Sequence, residues 1–315
     1  MPSRRPSGSP DHRRVISRAD ARALGIPIRE LGGPGYVRVF HDRYVPSDVA
    51  ITPLLRAQIA LGLVDPEGFA SHHTAAEIWK GWVPEHPLTH VTVADGAPRS
   101  RRRGIRCHVT TDPDPDVGMH RGVRTTSPVQ TFLDLATHLD LIDLTVLGDS
   151  LLKRQLVTPE QLIDAADRYQ GRDAVLARRA ARLVREGVDS PMETRLRLLI
   201  VLAGLPEPVV NFTLFHEDGS WHIRFDLSYP HLKIAIEYDG RQHAESRQQW
   251  QHDIVRREDT DRLGWLLIIV LSDGIYTDPG RTLDRVVDAL RRQGVAVRIR
   301  GDEWRRHFPG RRMAA

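Results

Sequence analysis

The sequence predicts a mixed α/β (α+β) chain whose C-terminal part has the element order α-β-β-β-α-β-α. Three observations predict it. Ser190-Pro191-Met192-Glu193 opens an apolar helical run that stops at Gly204, with serine as cap, proline in the first turn and glutamate at the third helical position. Residues 209–215, 221–229 and 234–238 follow as strand-like runs separated by short breaks. A long polar helix over 246–263 then leads to an apolar strand over 265–271, and a last helix over 279–293 is ended by Gly294. Residues 295–299 are expected to add an edge strand. This domain spans 187–300, and 301–315 reads as a basic C-terminal tail.

Upstream, residues 1–14 are polar and rich in Pro, Ser and Arg, the composition of a disordered tail. Ser17 caps a short helix ended by Gly25. A second helix near Pro27 is stopped by Gly32-Gly33-Pro34-Gly35, and two alternating runs, 36–40 and 43–45, form a hairpin. Helix, helix, hairpin is the order of a winged helix over 15–49. The second helix is too short to fill a major groove, so this degenerate module reads as a packing element rather than a DNA reader.

Residues 50–186 alternate helix and strand. Helices are expected over 54–63, 74–79, 129–139, 141–154, 158–168 and 178–186, and strands over 88–93 and 105–109, the second reading as partner of the first after a turn at Asp95-Gly96. Arg99, Arg101, Arg102, Arg103 and Arg106 form the densest basic cluster in the chain, suited to phosphate contact. His72 and His73 read as polar residues at a helix start, because adjacent residues rarely converge on one ion.

Bulk properties narrow the function classes. Net charge is +4, with almost all basic residues arginine, which permits a polyanionic partner. A lone cysteine, Cys107, excludes an internal disulfide and any cysteine-based zinc cluster. No apolar run has membrane-span length, and the first residues lack the apolar stretch of a signal peptide, so a cytoplasmic protein without membrane association is expected. Oligomeric state is not legible.

The chemistry lies in two runs, 225–229 and 234–238, joined by Pro230-His231-Leu232-Lys233. If that link makes a tight turn, Tyr229 faces Ile234, Leu227 faces Ile236 and Phe225 faces Tyr238. The other face then carries Asp226 opposite Glu237, Ser228 opposite Ala235 and Arg224 opposite Asp239. Like charges on cross-strand Cβ atoms roughly 4.5–5.5 Å apart are destabilising. A divalent cation between Asp226 and Glu237 would relieve the repulsion, and Mg²⁺ (or Mn²⁺) suits oxygen donors.

Glu193, Asp226 and the string Ile236-Glu237-Tyr238-Asp239-Gly240 followed by His243 resemble the PD-(D/E)xK restriction-endonuclease superfamily, on the branch of the very-short-patch-repair endonucleases. The helix carrying Asp253, Arg256, Arg257 and Asp259, and the strand after Gly264-Trp265, fit the same branch. The resemblance covers about residues 186–300. It implies Mg²⁺-dependent hydrolysis of DNA phosphodiesters, with Asp226 and Glu237 as metal ligands and Glu193 as a supplementary acid. One departure stands out: the superfamily lysine, two residues after the acid, is Asp239 here. His243, Arg224 or Lys233 would have to compensate, and His243 is the residue that fits the branch. Residues 16–165 resemble the AbiEi-type antitoxin architecture more loosely, through Arg43-Tyr44-Val45, Ser71-His72-His73-Thr74-Ala75-Ala76 and Thr126-Ser127-Pro128 with Leu133-Asp134-Leu135-Ala136. That resemblance implies an alternative, a non-catalytic DNA-binding, antitoxin-like regulator that keeps a nuclease fold. DNA and RNA remain open as substrates.

Overall fold

A computed structural model describes residues 15–97, 99–215, 221–240 and 247–310. The expected N-terminal tail and His243 therefore lie outside the described residues. The chain divides into two compact units, residues 1–138 with 164–177, and 139–163 with 178–315.

The first unit begins with α1 (Arg18–Ala23), whose Ser17 and Asp20 exchange both bonds of a capping box. The short second helix is a single 3-10 segment, Ile28–Gly32, and β1 (Tyr36–Phe40) pairs with β2 (Arg43–Pro46) as expected. Ile16, Ala21, Leu31 and Tyr44 bury together and hold this module.

The rest of the unit is built on a five-stranded sheet. Along the chain come α2 (Pro53–Val64), β3 (Phe69–Ala70), α3 (His72–Ile78), β4 (Thr89–Ala94) and β5 (Ile105–Thr110). β6 (Val117–His120), β7 (Val123–Thr126) and α4 (Pro128–Leu135) follow, and the strand order is β5-β4-β3-β7-β6. β4 and β5 are partners as expected, but they pair in parallel, with Thr89 opposite Ile105. Asp95-Gly96 thus turns the chain out into a return loop, and that loop carries the arginine cluster. The β6–β7 hairpin has no counterpart in the sequence reading; its strands are only four residues each.

α5 (Leu141–Lys153) belongs to the second unit, upstream of the boundary expected at 187. The division passes through α6 (Pro159–Arg168) and α7 (Ala174–Leu183). What ties α5 there is a buried ion pair with α8 (Pro191–Leu202). Arg197 donates to Asp149 at 3.0 Å, and both side chains are fully buried. Thr194 Oγ1 and the Arg185 amide also donate to Asp149. Removing one partner of such a pair leaves a buried, uncompensated charge, which makes the contact decisive for packing.

The second unit follows the expected order: α8, β8 (Val209–Phe215), β9 (Trp221–Tyr229), β10 (Ile234–Tyr238), α9 (Arg247–Arg262), β11 (Leu266–Val270), a short α10 (Asp273–Tyr276) and α11 (Pro279–Arg292). The sheet order is β11-β10-β9-β8, with β10–β11 parallel and the other pairs antiparallel. Leu227, Ile234, Ile236, Ser228 and Ala235 are all fully buried, so both faces of the central hairpin are covered. Residues 295–300 form no strand; the Arg300 amide instead donates to the Ala203 carbonyl. The segment read as a basic tail contains α12 (Trp304–His307), docked by buried Trp304 and Phe308. No helix among the described residues is long and apolar enough to cross a membrane.

Candidate functional site

The β9–β10 register is the expected one, with Tyr229 opposite Ile234, Ser228 opposite Ala235 and Leu227 opposite Ile236. A 3-10 turn, Pro230–Leu232, makes the connection, and Lys233 closes it in the left-handed conformation at φ 50°. The ladder stops one pair short of Asp226 and Glu237. There Asp226 accepts the Tyr238 amide at 3.0 Å, a backbone donor taken by a side chain. β10 continues beside β11, where the Asp239 amide donates to the Val270 carbonyl.

Asp226 and Glu237 line one cleft of about 220 Å³, together with Asp239, Gly240, Arg256 and Arg257. Burial is the largest influence on Asp226 and pushes its carboxyl above the usual range, against the Tyr238 amide and the Arg256 and Arg224 guanidinium groups. Glu237 is held by a two-pronged contact: Arg256 Nη1 reaches Oε2 at 2.9 Å and Nη2 reaches Oε1. Arg256 Nη2 also donates to the Arg224 carbonyl at 2.8 Å. The repulsion expected between the two carboxylates is therefore answered by an arginine from α9.

Glu193 is buried at the start of α8. Its Oε2 accepts the Asp189 amide at 2.8 Å, while its own amide donates to Ser190 Oγ. Burial first, and then the nearby charges of Asp226 and Asp189, raise its pKa. Glu193 thus secures the helix start and stands within the electrostatic field of Asp226.

The proposed stand-ins for the missing lysine separate. Lys233 Nζ donates to the Leu263 carbonyl at 3.0 Å and so caps the end of α9. Arg224 does not oppose Asp239. Its Cα partner is Thr213 on β8, and its guanidinium lies 2.5 Å from Asp189 Oδ2. The β9–β10 ladder ends before the Arg224–Asp239 pairing can form. Asp189, which the sequence reading used only as a boundary residue, joins this network and also holds Lys153 at 2.7 Å.

Arg99, Arg101, Arg102, Arg103 and Arg106 are all exposed in the first unit. Arg99 lies 3.9 Å from Asp95, a weak surface pair.

The first unit also holds a feature the sequence reading missed. His72, His73, His86, His90, His108 and His138 gather into one cluster. His72 and His73 do not share one position: His72 groups with His90 and His108, and His73 groups with His86 and His90. Parallel β4–β5 pairing brings His90 and His108 together, and no local pattern in the sequence announces that pairing.

No family model matches the chain. It is similar to two uncharacterized proteins of Mycobacterium tuberculosis, Rv2248 of strain H37Rv and MT2308 of strain CDC 1551. Each is 25% identical over 172 residues, covering 54% of this chain and 63% of the relative. The chain thus spans less than two thirds of the length of these relatives.

Proposed function

We propose that the second unit is a Mg²⁺-dependent endonuclease of the PD-(D/E)xK class acting on DNA. The observation that carries this reading is the meeting of Asp226 and Glu237 in one cleft at the end of the hairpin, with Asp239 beside them. Hard carboxylate oxygens fit Mg²⁺, and Asp226 has an oxygen beyond the one that accepts the Tyr238 amide. Asp226 and Glu237 would hold the ion, with Glu237 released from Arg256. Bound there, the metal would supply Lewis-acid stabilisation of a phosphoryl oxygen and an activated water. Arg256 and Arg257, on the cleft wall, suit a scissile phosphate. Asp226 keeps its orientation through Tyr238, and Glu193 adds negative potential from the side of α8.

A second reading has its own support. Arg256 already neutralises Glu237, and an aspartate occupies the lysine position. Both features suit a DNA-binding regulator that keeps the nuclease framework without cleavage.

Incubation with supercoiled plasmid, duplex oligonucleotide and single-stranded RNA, each with Mg²⁺ or Mn²⁺, separates the readings. Nicked or linear DNA products that vanish with chelator support the nuclease. DNA binding without cleavage under either metal favours the regulator. Cleavage confined to RNA would keep the site and change the substrate.

A further inference from the structure

The histidine cluster is chemically distinct from the carboxylate cleft and lies in the other unit. Several of its ring nitrogens already have directional partners, while the buried His73 Nδ1 has no hydrogen-bond partner among the described residues. His90 Nδ1 is 3.0 Å from His108 Nε2, and His90 Nε2 is 3.0 Å from His86 Nδ1. His72 Nδ1 is held by Ser71 Oγ at 2.9 Å, with Asp134 Oδ2 at 4.0 Å. The His72 ring stacks on His108 with centroids 3.8 Å apart. His72 takes a left-handed backbone, φ 51°, which a non-glycine residue seldom adopts outside special positions.

We propose that this cluster binds a divalent transition metal of the Zn²⁺ class through His72, His90 and His108. One ring nitrogen from each of the three lies within 4.8 Å of the others. A tetrahedral ion with 2.0–2.1 Å bonds needs nitrogens roughly 3.3 Å apart, so the triad has to close at its widest separation, and the stacked His72 and His108 rings have to tilt until their in-plane lone pairs converge. Outer partners are in place too. A metal-bound histidine ordinarily donates its second nitrogen, which here meets Ser71 for His72 and His86 for His90. The triad borders a cleft of about 260 Å³, lined by His72, His108, Gln130 and Asp134 among others, which gives an ion a route in and room for a further ligand.

Without metal, the same rings would form a chain of neutral imidazole hydrogen bonds and nothing more. Co²⁺ titration of untagged, chelator-stripped full-length protein distinguishes the two. The expected result is the intense visible absorption of four-coordinate Co²⁺ with nitrogen donors, bleached by Zn²⁺ and unaffected by Mg²⁺. His108→Gln should weaken binding by more than roughly tenfold, since even loss of an outer partner costs a metal site that much. The exposed His231→Gln variant should bind like the parent. His108, only partly buried, carries the test if the buried His90→Gln variant fails to fold. Absence of bands and of Zn²⁺ binding heat overturns the site, as does parent-like affinity in His108→Gln.

Discussion

At the scale of single residues, Asp226 and Lys233 divide structure from chemistry. Asparagine at 226 keeps an oxygen to accept the Tyr238 amide and removes only the charge. Asp226→Asn is therefore expected to hold or raise the melting temperature, because a charge that burial disfavours has gone. Differential scanning fluorimetry with chelator present checks this, and a large loss of stability would show that the carboxylate is a structural anchor. Lys233→Ala is expected to leave any cleavage unchanged and to cost a little stability, since its ammonium serves the last turn of α9. Glu303 provides a pH test. Its hydrogen bond to Arg179 comes first among the causes that hold its pKa below the ordinary carboxylate value. A depressed folded pKa stabilises above the unfolded pKa, and that stabilisation is lost as pH falls through the folded one. Glu303→Gln should thus melt slightly lower than the parent at neutral pH, on the scale of an exposed ion pair at about 0.2–1 kcal/mol. The two curves should converge in acid; a gap that persists at low pH would mean that Glu303 acts through packing.

Among elements, α5 and α8 form the clearest energetic unit. Asp149→Ala strands Arg197 in the interior without its main partner, and the expected loss is about 3–5 kcal/mol by denaturant unfolding. A loss below about 1 kcal/mol would show that Glu207, 3.1 Å from Arg197, suffices alone. The hairpin was legible from sequence because its signals are local. Alternating apolar residues and a link of four residues leave one register that buries Leu227, Ile234 and Ile236 together. The end of that ladder was not legible, because it depends on Asp226 taking the Tyr238 amide and on β10 moving to β11. The same holds for Arg256. Its approach to Glu237 spans nineteen residues and a helix, and nothing in the spacing fixes it. The parallel β4–β5 pairing was hidden for a related reason, since a short link after Asp95-Gly96 reads more simply as a hairpin than as a return loop.

Taken over the whole chain, the exposed arginine cluster and the carboxylate cleft fall in different units. The exposed arginines of the β4–β5 loop suit a polyanion recognised through its phosphates rather than its bases. Binding to duplex DNA should fall steeply with salt. Replacing Arg101, Arg102 and Arg103 by Gln should flatten the log–log salt slope by roughly 0.9 for each phosphate no longer neutralised. A slope unchanged in that variant would move the DNA-facing surface elsewhere. The candidate cleft was legible as residues but not as a finished site: Asp226, Glu237 and Asp239 share it, while the pairing of Arg256 with Glu237 and of Asp189 with Arg224 completed its electrostatics without a signal in the sequence. The histidine cluster was not legible at all, since its members come from a helix start, two parallel strands and two loops, brought together only by the tertiary fold.

The most direct test of the carboxylate site is the rate of plasmid nicking under Mg²⁺ or Mn²⁺ by parent and Asp226→Asn protein, both verified as folded. A metal ligand worth several kcal/mol in the transition state implies a rate at least roughly a hundredfold lower in the variant. The expected result is divalent-dependent cleavage by the parent and that loss in Asp226→Asn. Equal rates in the two proteins, or no cleavage by the parent with either ion, would contradict a nuclease site at Asp226 and Glu237.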